Sequence, residues 1–282
     1  PMPHALITLL GRGSCTRMAW KTFDACTGCF PLSTGVSTCC CMARKNADAC
    51  FLRGQRGGTW RWAKSELLPW SIEHGPLQFE LKPTDSGQIG FFPEQSLNWE
   101  WLSERLQRQA NADQLLNLFA YTGSGTLIAA ANGAEVVHVD AVKSAVQWGK
   151  KNAERSGLGN APVRWIVDDV RKFLARELRR SRQYDAVVLD PPSYGHGPQQ
   201  EPWKIEEHLA GVLHQCGRLT QERGQFILLT CHTPSLRWRR LQQLVKENIQ
   251  HHGDLSHREL NLTSDDGRKL FSGDVVTIEL NR

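Results

Sequence analysis

The chain has 282 residues, 40% hydrophobic and 22% charged, enough to bury the core of one large α/β domain with a small appendage. No uninterrupted apolar run approaches the roughly 18 residues that a bilayer-crossing helix needs, so the composition predicts a soluble protein with no membrane partner. A net charge of +5 and a pI near 8.8 permit a polyanionic partner without demanding one.

The first fifty residues hold Cys15, Cys26, Cys29, Cys39, Cys40, Cys41 and Cys50, and only Cys216 and Cys231 follow. The body of the chain therefore reads as a reduced, intracellular protein. Cys26-x-x-Cys29 has no second pair at regular spacing, so no metal site is expected. Residues 1–56 are rich in Ser, Thr, Gly, Cys and basic residues, with Asp24 and Asp48 as their acids. That composition resembles an organellar transit segment without a clean amphipathic pattern, which leaves a cytoplasmic or organellar location open.

From Gly57 the character changes. Trp60, Trp62 and Trp70 precede Ile72, Leu77, Phe79 and Leu81, whose spacing predicts a short antiparallel β element turning at His74-Gly-Pro76. Residues 57–98 read as a small β adaptor and 99–282 as the main domain, opening with a helix over Trp99–Gln109. Apolar runs at Leu115–Ala120, Glu135–Asp140, Val163–Val167, Tyr184–Asp190 and Gln225–Cys231 predict strands. Helical spacing covers Thr126–Asn132, Lys143–Arg155, Val170–Arg179, Glu206–Leu219 and Leu236–Ile249. Two further strands, Leu255–Leu262 and Val275–Leu280, are joined across Asp265-Asp-Gly267. The fold class is α/β: a Rossmann-like, doubly wound, mostly parallel sheet with a C-terminal antiparallel hairpin and a small N-terminal β element.

In such sheets ligands bind beyond the C-terminal strand ends, where the strand order reverses. Ala120-Tyr-Thr-Gly-Ser-Gly-Thr126 joins a strand to a helix, and Gly123 and Gly125 let backbone amides approach a ligand. The loop lacks the full G-x-G-x-x-G pattern, because Ile128 occupies the third glycine position. Asp140 follows the next strand, where a carboxylate can accept both hydrogen bonds of a ribose diol. Asp168-Asp169 follows the third strand and can take an exocyclic amine, although an aspartate there is equally a helix N-cap. Asp190-Pro-Pro-Ser-Tyr194 follows the fourth, two prolines fixing its backbone toward a planar substrate.

Together, Leu118-Phe-Ala-Tyr-Thr-Gly-Ser-Gly125, Val139-Asp140 with Asn152, Asp169-Val170, Asp190-Pro-Pro192 and Leu229-Thr-Cys-His232 resemble the class I S-adenosylmethionine-dependent methyltransferases. More narrowly, the chain from Trp70 onward is similar to the bacterial 23S ribosomal RNA cytosine-5 methyltransferases and their relatives. The resemblance implies S-adenosyl-L-methionine as cofactor, contacted by Phe119, Tyr121, Gly123, Gly125, Asp140 (ribose), Asp169 (adenine), Asp190 and Pro191. It implies an RNA substrate, with Pro192, Tyr194 and Gln95 on the substrate side. Where the family carries an Asp-Gln-Arg triplet this chain reads Pro93-Glu-Gln-Ser96, which keeps Gln95 and loses the arginine.

Carbon 5 of cytosine is a poor nucleophile until a thiolate adds to carbon 6, so that reaction needs a cysteine near the base. Cys231 at a strand end, with Asp190 on the neighbouring one, is the candidate catalytic pair. A buried apolar role for Cys231 is the alternative, and His232 stands where the family usually has serine. Tyr194 offers a second chemistry, a base stacked for methylation of its exocyclic amine. A third reading is a cofactor-binding scaffold without catalysis. RNA recognition is expected from the β element at Trp60–Leu81 and from Arg237, Arg239 and Arg240. Arg176, Arg179, Arg180 and Arg182 form a second basic group, expected as a solvated helix end.

Overall fold

The computed structural model describes residues 6–7, 49–53, 58–62, 70–108, 114–263 and 269–280. The cysteines from Cys15 to Cys41 and the expected Asp265-Asp-Gly267 turn lie outside these residues. The chain forms two compact units.

The smaller unit comprises Pro1–Gly75, Glu80–Phe91 and Leu262–Leu270. Its strands β1 (Leu6–Ile7), β2 (Ala49–Arg53) and β3 (Gly58–Trp62) make an antiparallel sheet in that order. β2 falls inside the segment that composition alone sets apart. Phe51 opposes Trp60 across the sheet, their rings 5.2 Å apart, and Trp60 Nε1 donates to the Thr84 carbonyl at 2.8 Å. Gly87 has φ 83°, and a Cβ there would lie 2.5 Å from the buried Phe51 ring, so the turn requires glycine on both counts. Strands β4 (Trp70–His74) and β5 (Leu77–Leu81) flank Gly75, where the sequence places its turn.

The larger unit comprises Pro76–Phe79, Phe92–Asn261 and Phe271–Arg282, so it takes up Phe92–Asn98 from the stretch that the sequence pattern groups with the adaptor. A 3-10 turn at Pro93–Gln95 with Pro93 in its first turn leads directly into helix α1 (Ser96–Gln107). Strands β6 (Gln114–Leu118), β7 (Glu135–Asp140) and β8 (Val163–Val167) alternate with helices α2 (Ser124–Ala131), α3 (Lys143–Arg155) and α4 (Val170–Arg179). β9 (Ala186–Leu189) is followed by an unanticipated hairpin, β10 (Tyr194–His196) with β11 (Pro202–Lys204), and then by α5 (Ile205–Leu219). β12 (Phe226–Cys231), α6 (Trp238–Asn248), β13 (His252–Thr263) and β14 (Lys269–Leu280) complete it.

The sheet order is β13-β14-β12-β9-β6-β7-β8. Strands β6, β7, β8, β9 and β12 pair in parallel and β14 lies antiparallel on β12, as the alternating pattern predicts. Strands covered on both faces read as nearly continuous apolar runs, which is why their positions were legible. One face buries Leu116, Leu118, Val187, Leu189, Ile227 and Leu229 against α4, α5 and α6. Each such side chain contributes roughly 1.5–3 kcal/mol of burial, which fixes the strand ends that carry the loops. After β8 the chain crosses back to place β9 beside β6, so the order reverses between Leu118 and Leu189.

Candidate active site

At that reversal the loop after β6 is held in unusual backbone geometry. Phe119 and Tyr121 have φ 57° and 50°, and Gly123, the N-cap of α2, has φ 88°. Left-handed conformations at bulky residues cost energy and persist only where the surroundings enforce them. The enforcing contacts are present: Tyr121 N donates to Asp140 Oδ2 at 2.8 Å, and Asn152 Nδ2 to the Thr122 carbonyl at 3.1 Å. Beneath the loop, Gly149 of α3 lies where a Cβ would meet Trp165 at 2.8 Å and the Thr122 carbonyl at 3.3 Å. A second layer of support is buried: Asn117 Nδ2 donates to Thr126 Oγ1 at 2.9 Å, which in turn lies 2.9 Å from His138 Nδ1. Burial holds His138 neutral, lowering its pKa to about 3.

Asp140 ends β7, with one oxygen accepting from Tyr121 N and the other from Val142 N, each at 2.8 Å. Burial raises its pKa and the two amides pull it part of the way back. Asp169 caps α4: its Oδ1 accepts from the amides of Arg171 and Lys172, and its Oδ2 from the Arg171 guanidinium at 2.9 Å. Burial works to raise the Asp169 pKa, but Arg171 and the amides outweigh it and hold it low. Most of that carboxylate is thus committed to the cap that the sequence offered as the alternative. Val142, just after β7, and Val167, the last residue of β8, are exposed apolar groups that sequence reasoning did not single out.

Across the reversal, Asp190 is clasped by side chains. Gln95 Nε2 donates to its Oδ2 at 2.9 Å, while Thr230 Oγ1 and His232 Nε2, the latter at 3.2 Å, face its Oδ1. His232 Nδ1 lies 2.9 Å from the Ser272 carbonyl. With one ring nitrogen on a carbonyl and the other on a carboxylate, both must carry protons, so His232 is an imidazolium. Burial opposes that charge, but Asp190, the Ser272 carbonyl and Glu94 raise the pKa to about 9. In return His232, Thr230 and Gln95 outweigh burial and keep Asp190 ionised. Burial raises the pKa of neighbouring Glu94. Gly273 makes the His232 contact possible, because a Cβ there would lie 2.5 Å from the Cys231 carbonyl.

Gln95 is itself placed by a relay: Asn98 Nδ2 donates to its Oε1 at 2.5 Å, and Arg258 of β13 donates to Asn98 Oδ1. No local pattern could have revealed Arg258, which lies 160 residues from Asn98.

The proline loop differs from expectation in one respect. The Pro192 carbonyl accepts from Trp203 Nε1 at 2.6 Å and the Ser193 carbonyl from Ile205 N at 3.1 Å, so both face the protein rather than a substrate. The Trp203 ring also packs on Phe119 at 4.8 Å, joining the two loops. Pro191 is buried, Pro192 is exposed, and Tyr194 is 57% exposed with Oη 3.0 Å from His196 Nε2.

Cys231 lies on the opposite face of β12 from Thr230. The residue is 1% exposed and belongs to the apolar core on the α4–α6 face, while the adjacent Thr230 reaches Asp190. Burial raises the pKa of its thiol, in keeping with the buried apolar role that the sequence left open beside the nucleophile.

A crossover crevice with a strained glycine loop on one strand and acids on its neighbours defines an α/β domain of the class that binds nucleotide-like cofactors. The chain belongs to the S-adenosylmethionine-dependent methyltransferase family, whose match spans residues 44–222. That match begins within residues 1–56 and ahead of Trp70, where the sequence resemblance starts. The chain is 31% identical over 133 residues to ribosomal RNA large subunit methyltransferase I of Aeromonas salmonicida, covering 47% of this chain and 33% of that one. It is 27% identical over 188 residues to ribosomal RNA large subunit methyltransferase K/L of Magnetococcus marinus, covering 66% of this chain and 25% of that one. The chain thus spans a third or less of these curated relatives. The crystal structure of a SAM-dependent methyltransferase from Agrobacterium tumefaciens matches with a TM-score of 0.80 at 35% identity, covering 84% of this chain and 78% of that one.

Proposed function

We propose that this chain transfers the methyl group of S-adenosylmethionine to a base in ribosomal RNA, the substrate class named in its Aeromonas and Magnetococcus relatives. The observation that carries this reading is Asp190, kept ionised by three side-chain donors at the point where the sheet order reverses.

The residues present fit the cofactor. Gly123 in the left-handed region lets the loop after β6 turn tightly, and its residues Phe119, Tyr121 and Gly125 would line the cofactor. Asp140 accepts one amide per oxygen, which leaves each oxygen a lone pair for a ribose hydroxyl. Val142 and Val167 offer apolar faces for adenine, and Asp169 reaches it only by sharing the oxygen that Arg171 now holds. When bound, the cofactor supplies an electrophilic sulfonium methyl.

The protein supplies the rest. Tyr194 and Pro192 present an exposed surface on which a base can stack, Pro191 anchors the turn beneath it, and Asp190 can accept a hydrogen bond from the attacking amine. Such an acceptor orients the nitrogen lone pair toward the methyl, and the proton released from the methylated amine passes to water, because Asp190 is held ionised. This favours an exocyclic amine over carbon 5 of cytosine, because the carbon-5 route requires a thiolate at Cys231 and the thiol is buried.

The test is transfer of labelled methyl from S-adenosylmethionine to ribosomal RNA, with mass spectrometry of the nucleosides. Label in an amine-methylated base, lost on Tyr194→Ala and kept in Cys231→Ala, is expected. A 5-methylcytosine product lost in Cys231→Ala, with S-adenosylhomocysteine binding intact, restores the covalent route. Cofactor binding without transfer to any RNA supports the non-catalytic scaffold.

A further inference from the structure

Beyond the crevice, the start of β14 and the start of α6 carry a second organised cluster. Its centre is Asp274, 1% exposed and paired in register with Cys231, hence one strand over from the Asp190–His232 pair. Arg237 Nε donates to Asp274 Oδ2 at 2.6 Å, and His257 Nε2 lies 2.7 Å from Oδ1. A single buried carboxylate therefore fixes two basic side chains that belong to different elements. Each of these carries an aromatic partner. The Arg237 guanidinium sits 4.1 Å from the centroid of Phe271, which is 39% exposed, and the Trp238 ring stacks on His257 at 4.7 Å with an 11° interplanar angle.

Arg239 and Arg240 stand exposed in the first turn of α6. Among the described residues, Glu259, 3.7 Å from Arg237, is the acid that pairs with this group beyond the buried Asp274. The other basic group of the sequence differs, since Arg176 pairs with Asp168 and Arg180 with Glu177.

The platform is also continuous with the active site through the backbone. Phe271 precedes Ser272, whose carbonyl accepts from His232, so a chain lying on Phe271 runs toward Asp190. Rigid aromatic faces beside fixed and free guanidinium groups match what a single-stranded nucleic acid offers: flat bases to stack and phosphates to pair. A partner protein of acidic character would satisfy the arginines but has no systematic use for the exposed ring.

We propose that Phe271, Arg237, Trp238 and His257, with Arg239 and Arg240, form a docking surface for the single-stranded RNA that flanks the target base. The inference rests on the RNA reading above.

The experiment measures binding of a labelled, mixed-sequence single-stranded RNA and of poly-glutamate to the full chain across a salt series. Wild type is compared with Phe271→Ala and with Arg239→Gln/Arg240→Gln, and S-adenosylhomocysteine affinity reports that each variant is folded. Phe271→Ala is expected to weaken RNA binding about tenfold with the salt slope unchanged, the scale of one lost base–aromatic stack. The double arginine variant is expected to lower the slope by roughly 1.4, two phosphate contacts on a single strand. Poly-glutamate binding should not respond to Phe271→Ala. Wild-type RNA binding that neither variant changes overturns this surface and leaves the RNA substrate standing. Equal losses for RNA and poly-glutamate in Phe271→Ala overturn it in favour of a protein partner. Absence of RNA binding and of RNA methylation in wild type overturns both proposals together.

Discussion

The two halves of the crevice use their acids differently. On the side of β7 and β8, Asp140 and Asp169 take their bonds largely from backbone amides only a few residues away or in the adjoining loop. On the side of β9 and β14, Asp190 and Asp274 take theirs from side chains: Gln95, Thr230 and His232 for one, Arg237 and His257 for the other. Amide partners fix the shape of loops that must follow one constant ligand. Side-chain partners set the charge, orientation and reach of an acid, and can change without refolding a loop. The comparison thus separates a half built for conformation from a half built for chemistry.

The largest expected effect comes from breaking the second half at its centre. Asp190→Asn should lower methyl transfer about a hundredfold or more, the scale for losing one preorganised electrostatic partner, while S-adenosylhomocysteine affinity changes little. A parallel collapse of cofactor affinity would place Asp190 with the conformational half instead. Next in size, Gly273→Ala forces a Cβ to within 2.5 Å of the Cys231 carbonyl and must push β14 from His232. Overpacking of this kind costs roughly 1–3 kcal/mol, readable in urea unfolding.

The third prediction concerns pH. The His232 pKa is raised to about 9, so its stabilising contribution is complete below its unfolded pKa near 6.5 and disappears as pH rises through about 9. Asp190 is held low, so its contribution is present above the ordinary carboxylate range and lost as pH falls through its own lowered value. Unfolding free energy should therefore drop between pH 6.5 and 10, and His232→Gln should flatten that drop. An unchanged slope would mean that His232 is neutral in the fold. The smallest effect belongs to Cys231→Ala, expected to cost about 1 kcal/mol of core packing and to leave transfer within about twofold of wild type.

Much of this was legible in advance. Glu135–Asp140, Val163–Val167, Lys143–Arg155 and Val170–Arg179 form as strands and helices over the residues that apolar spacing assigns. Asp169 as an N-cap was also readable, since a cap is decided within three residues. The hairpin at Tyr194–His196 and Pro202–Lys204 was not, because three-residue strands with glycine and proline carry no periodicity to detect. Nor was the length of β14: its first six residues, Lys269-Leu-Phe-Ser-Gly-Asp274, alternate too weakly to separate from a turn.

Cys231 shows the limit most clearly. A cysteine at the end of a strand reads the same whether its thiol points into the crevice or into the core, because a strand turns successive side chains to opposite faces. The amino-acid sequence alone determined the alternation of strands and helices in the parallel sheet, the crossover and the three acids that follow successive strands, because those depend on local periodicity and chirality. Tertiary structure alone decided that Thr230 rather than Cys231 faces Asp190, that His232 is charged, and that Arg258 reaches Asn98 and through it Gln95. Those outcomes depend on which distant side chains share a small volume, and the low dielectric there makes each proton and each contact conditional on all the others.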